Sequence, residues 1–136
     1  MPDKIDSYTH LHLHSSFGSI QDAVGKPAAY CNKAAEIGQQ ALAVTEHGSC
    51  ASHFAFHQAG KATDTKIIYG NEFYFAADRT LRGLTDEEKN GLTATETRDA
   101  NKARLRKAHL LLLAETDEGL HNIYRLNYHA NTSGFY

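Results

Sequence analysis

A chain of 136 residues, 41% hydrophobic and 22% charged, has the size and composition of one globular domain and not of a disordered or fibrous segment. Its formal net charge of −2 excludes the broad basic field of a protein that coats nucleic acid, but not an enzyme that meets phosphate through bound metal. Cys31 and Cys50 are too few for a disulfide framework and fit a reducing cytoplasm; Met1-Pro2-Asp3-Lys4-Ile5-Asp6 has no apolar signal core, and no run reaches membrane-spanning length.

The first predicted element is a strand over residues 8–15, where Tyr-Thr-His-Leu-His-Leu-His-Ser alternates strictly. That period puts His10, His12 and His14 on one face and Leu11 and Leu13 on the other, under the helices. Pro27 opens a helix that carries Ala28, Cys31 and Ala35 and stops at Gly38. Residues 41–45 read as a short buried strand. A second helix starts near Ser52, with Phe54 and Phe56 as core residues, and fades at Gly60. Residues 66–75 form a strand rich in β-branched and aromatic side chains. Residues 78–107 are polar and lack apolar periodicity, so they read as a solvated insertion with at most one loose helix. In it, Lys102, Arg104, Arg106 and Lys107 read as solvated surface. A fourth strand spans 109–114. Thr116 then caps a helix with Asp117 and Glu118 in its first turn and an apolar stripe of Leu120, Ile123, Tyr124 and Tyr128. Strands alternating with helices predict βαβ units and a parallel sheet.

The nine histidines are the compositional oddity, and their positions carry chemistry. Two imidazoles at i and i+2 of one strand are spaced to hold a single metal ion. His47 follows the second strand, Glu72 lies in the third, His109 opens the fourth and Asp22 lies in the loop after the first. A ligand-type side chain at every strand, several near carboxyl ends where parallel-strand barrels build their sites, is more than an amphipathic pattern requires. His10 reads as a buried hydrogen-bonding residue, and His53, His57, His121 and His129 as surface or packing residues of helices.

The set resembles the PHP family, named for polymerase and histidinol phosphatase. Its His-x-His-Ser/Thr motif is matched by His12-Leu13-His14-Ser15, and its Thr-Asp-His-Gly by Thr45-Glu46-His47-Gly48, with Glu in place of Asp. Its Gly-x-Glu strand is matched by Gly70-Asn71-Glu72, its later histidine by His109, and its loop acid by Asp22 if one residue is inserted after His14. Thr9-His10-Leu11, the run from Leu112 through Asn122, and Gly134-Phe135-Tyr136 favour the polymerase branch, the C-family replicative DNA polymerases.

The resemblance implies an α/β fold, the first half of a distorted seven-stranded (βα) barrel. It implies up to three divalent transition metals (Zn, Mn or Fe) in the complete domain, with His12, His14, Asp22, His47, Glu72 and His109 as ligands. His12, His14 and Glu72 would hold one metal; Glu72 would bridge to a second held with His109, and Asp22 and His47 would serve a third. The implied activity is phosphoester hydrolysis, as a 3′–5′ proofreading exonuclease attached to a polymerase. The alternatives are an inactive module that braces the replicase and a small phosphatase of the histidinol-phosphatase type. Implied partners are DNA, through the parent polymerase, and the remaining half of the domain as a second segment or chain. That remainder would supply a Cys or His and an Asp-x-His pair, and this chain alone is expected to be nearly inactive. The cytoplasm is the expected compartment, with no membrane partner.

Overall fold

The computed structural model describes residues 8–18, 21–76, 78 and 80–132. The opening residues 1–6 and the Gly134-Phe135-Tyr136 tripeptide used above lie outside them. In chain order the elements are α1 (Pro27–Ile37), β1 (Ala41–Val44), α2 (His53–Thr63), β2 (Lys66–Phe75), α3 (Asp86–Lys89), α4 (Ala94–Arg104), β3 (Ala108–Leu113) and α5 (Asp117–Asn131). The strands form a sheet in the order β1-β2-β3.

Pro27 at the start of α1 needs no backbone donor, and Gly38 ends it at φ 82°, returning its N–H to the carbonyls of Ala34 and Ala35. The buried stripe is Cys31 and Ala34, while Ala28 and Ala35 face solvent, one residue off the predicted stripe. Leu42 and Val44, two apart on β1, meet Cys31, Ala34 and Phe56, with Leu13, Tyr30, Ala59, Ile67 and Tyr69 packed around them. Of the two phenylalanines predicted to be core, only Phe56 is; Phe54 is 73% exposed. The second helix also runs past Gly60 to Thr63. Gly60 is a close-approach residue, since a Cβ there would collide with Ile67 and the Thr65 carbonyl.

Three expectations are corrected by the strands. Residues 8–15 are extended beside β1, but they pair as a strand only through the His10–Leu42 bridge. The ladder breaks because the hydroxyl of Thr45 takes the place of a backbone carbonyl and accepts from Leu13 N at 2.8 Å. Leu13 packs on the core; Leu11, expected beside it, is exposed. The sheet is also not all parallel. β1 pairs with β2 in parallel, Ala41 opposite Lys66, whereas β3 runs antiparallel to β2, from Gly70 opposite Leu113 to Phe75 opposite Ala108.

A parallel return needs a crossover helix packed on the sheet. The polar stretch before β3 offers none, because α3 and α4 bury no residue. Both helices are held locally, by capping boxes pairing Thr85 with Glu88 and Thr93 with Glu96. The stretch thus acts as a long hairpin connection carrying two short helices where one was expected. α5 begins as predicted, with the Thr116 hydroxyl accepting from Gly119 N. Of its stripe only Ile123 is fully buried. No helix among the described residues is long and apolar enough to cross a membrane.

Candidate metal centre

Neighbouring segments carry the six predicted residues into one cleft. The extended segment brings His12 and His14, the stretch before α1 brings Asp22, the residues after β1 bring His47, β2 brings Glu72 and β3 brings His109. The register explains the meeting: His47 pairs directly with Glu72, and His109 lies opposite Tyr74, the diagonal neighbour of Glu72 across β2 and β3. The cleft is open, about 680 Å³, and is also lined by Gln21, Ala23 and Tyr30.

Glu72 is its centre. The Nε2 atoms of His12 and His14 lie 3.0 and 2.9 Å from its Oε2 and 3.0 Å from each other. The Nδ1 of His109 lies 2.5 Å from its other oxygen, Oε1. One carboxylate therefore divides its two oxygens between two sets of imidazoles. Glu72 itself is buried, with 5% of its side chain exposed, while His12 and His109 are each 53% exposed, so the donor atoms can be reached from solvent. Burial pushes the Glu72 carboxyl up, but the His12 hydrogen bond and the fields of His12, His109 and His14 together outweigh it and hold the group below the ordinary carboxylate value.

A second set stands beside the first. Asp22 Oδ2 is 3.8 Å from His14 Nδ1 and 3.6 Å from His47 Nδ1. The donor atoms of His12, His14 and Glu72 lie within 4.8 Å of one another, and so do those of His14, Asp22 and His47. His14 belongs to both sets, one ring nitrogen to each, a sharing that spacing alone did not predict. Among the described residues, His14 Nδ1 and His47 Nε2 are buried without a hydrogen-bond partner. Orphaned imidazole nitrogens converging with carboxylate oxygens are a donor set that fits a borderline divalent ion.

His10 does not join the cluster's chemistry. Its ring is exposed, edge-on to Tyr8, and the bond expected of its side chain is made by its carbonyl, which accepts from Ala43 N. His53, expected at the surface or in packing, is buried, with Nε2 2.9 Å from the Gly70 carbonyl and Nδ1 3.2 Å from the Tyr124 hydroxyl. Two residues of the site were missed. Tyr74 stands with its ring 4.8 Å from that of His47 and 4.9 Å from that of His109, and Lys107 Nζ sits 4.8 Å over it. Its place two residues after Glu72 was the available signal, since alternate residues of a strand share a face. The other is Glu46, whose role no spacing announces.

Residues 10–136 match the PHP domain family. The chain is 33% identical over 129 residues to the DNA polymerase III subunit alpha of Aquifex aeolicus (strain VF5), which covers 95% of this chain and 10% of that protein. Against the protein of the same name from Helicobacter pylori (strain ATCC 700392 / 26695), identity is 29% over 130 residues, 96% of this chain and 9% of that one. Against that of Chlamydia trachomatis serovar D it is 34% over 126 residues, 93% of this chain and 9% of that one. The chain thus spans about a tenth of the length of the curated relatives it matches.

Proposed function

The chain belongs to the PHP domain family, and on that premise we propose that it is a metal-binding phosphoesterase module, the amino-terminal part of the PHP domain of a replicative DNA polymerase III alpha subunit. The observation that carries the metal reading is the division of Glu72, one oxygen toward His12 and His14 and the other toward His109. A carboxylate so placed serves two ions at once. In this reading His12, His14 and Glu72 would hold one metal, Glu72 and His109 a second, and Asp22 and His47, with Nδ1 of His14 beside them, a third.

Divalent Zn, Mn or Fe bound there supplies Lewis-acid stabilisation of a phosphoryl group and a water acidic enough to act as nucleophile near neutral pH. The chain's own residues aim and shape the cleft. Glu72, inside the sheet, fixes the imidazoles around it; Tyr74 packs against His47 and His109, and Lys107 lies over the Tyr74 ring. The substrate class is a phosphodiester, and in the polymerase setting the reaction is removal of a 3′ nucleotide. DNA and the rest of the polymerase are the partners, and the four adjacent segments belong to a seven-stranded barrel. The setting is cytoplasmic replication.

Metal analysis of the purified chain is the test. Bound Zn, Mn or Fe is expected, reduced in a His12→Ala/His14→Ala double variant; equal metal content in the two proteins would sink the assignment.

A further inference from the structure

Glu46 stands where the family pattern has Asp, and its carboxylate has no exposed surface. It belongs to neither donor set. Both of its oxygens instead grip Ser15: Oε2 accepts from the Ser15 backbone N–H at 2.9 Å, and Oε1 accepts from the Ser15 hydroxyl at 2.5 Å. The residue before it, Thr45, grips Leu13, its hydroxyl accepting from Leu13 N at 2.8 Å and its own N–H donating to Leu13 O at 3.0 Å. Two consecutive residues at the end of β1 therefore hold the two residues that flank His14.

The same stretch reaches the other donors. His47 follows Glu46 in the chain, and the Glu46 carbonyl accepts from Glu72 N at 3.0 Å. On the far side of Ser15 its hydroxyl accepts from Phe17 N and its carbonyl from Gly18 N, which closes a tight turn. Within that turn lies Gly18. A Cβ placed on Gly18 would collide with Cγ, Cδ and Oε2 of Glu46, so the glycine leaves room for the longer acid.

We propose that Glu46 is a positioning residue for the metal centre: through Ser15 its carboxylate sets the place of His14, and Gly18 is its obligate steric partner. The inference rests on the metal-site reading above and deepens it. Two consequences distinguish it from simple packing. Shortening Glu46 to Asp withdraws the carboxylate from Ser15 by about one C–C bond, ~1.5 Å, and loosens the His14 bracket. Adding a methyl at Gly18 drives the carboxylate off Ser15 when Glu46 is present, but strikes neither Cγ nor Cδ once residue 46 is cut back to Ala; Asp would keep the Cγ in its way.

The test is competitive Zn²⁺ titration against a chromophoric chelator, well below the melting temperature, on the stripped chain and on Glu46→Asp, Glu46→Ala, Gly18→Ala and the Glu46→Ala/Gly18→Ala double variant. Each single substitution is expected to weaken Zn²⁺ affinity roughly 10- to 100-fold, as loss of a supporting partner behind a ligand does. The double variant is expected to lose no more than Glu46→Ala alone, because the added methyl then strikes nothing of residue 46, a strong departure from additivity between touching residues. Ser15→Ala, which deletes one of the two bonds and leaves the glycine space intact, is expected to weaken affinity in the same direction and serves if a Glu46 variant fails to fold. Additive losses overturn the proposal, as does a lowered melting temperature of the metal-free variants with unchanged Zn²⁺ affinity. Failure of the unsubstituted chain to bind Zn²⁺ overturns the metal-site reading itself, and this one with it.

Discussion

Replacing Gly70 by Ala should separate β3 from β2 and carry His109 away from Glu72. A Cβ at Gly70 would lie 2.7 Å from Leu113 Cδ2 and 3.0 Å from Thr45 Cγ2, with the Leu112 carbonyl oxygen nearer still. Carbon atoms in contact prefer about 3.5 Å or more. The nearest carbon must therefore retreat by roughly 0.8 Å (3.5 less 2.7). Leu113 can rotate, but the backbone carbonyl of Leu112 cannot, and Leu112 pairs with Asn71 on the adjoining strand.

Overpacking of this kind costs about 1–3 kcal/mol. A domain of this length loses roughly 3–5 °C in Tm per kcal/mol, so the expected fall is on the order of 3–15 °C. His109 Nδ1 sits 2.5 Å from Glu72 Oε1, and a shift of most of an ångström at β3 breaks that contact. The assay is a pair of measurements on wild type and Gly70→Ala: circular-dichroism melts in excess chelator, and metal content after reloading. A lower Tm with reduced metal content is expected. Unchanged values of both would refute the reasoning, because they would mean that the glycine of the Gly70-Asn71-Glu72 stretch does not govern the approach of β3.

Two further outcomes are expected. Phe56, fully buried between Tyr30 and the β1 side chains, should cost about 3–5 kcal/mol when replaced by Ala, read by urea unfolding; a loss below about 1 kcal/mol would show that the core lies elsewhere. His53 has its pKa held below the ordinary 6.5 by burial, offset in part by the Gly70 carbonyl and the field of Glu46. The unfolded chain then takes up a proton that the folded chain refuses, so this residue's contribution to stability is present above about pH 6.5 and is lost as pH falls below it. In chelator, Tm should therefore drop more steeply from pH 7.5 to 5.5 in wild type than in His53→Gln; equal slopes would contradict the buried neutral imidazole.

The sequence by itself determined what local backbone geometry determines. A period of two placed His12 with His14 and, had it been read one step further, Tyr74 with Glu72. Pro27 and Gly38 bounded α1, Thr116 began α5, and the β-branched and aromatic run from Lys66 to Phe75 was β2. These features act over a few residues, through φ/ψ preference, capping bonds and side-chain alternation. The six candidate ligands were legible as residue types on the strands and in the loops beside them, and motif resemblance assembled them.

What only the tertiary structure decided involves partners far apart in the chain. The antiparallel return of β3 depended on the absence of any packing face on α3 and α4. The sharing of His14 between Glu72 and Asp22 depended on which carboxylates come to lie at its two ring nitrogens. His53 became a buried link to Tyr124, 71 residues away, although its helix position read as surface or packing. Most plainly, Glu46 looked like a conservative lengthening of Asp. Its meaning lies in Ser15 and Gly18, about thirty residues earlier, because a buried carboxylate must find its donors and its space wherever the packed chain supplies them.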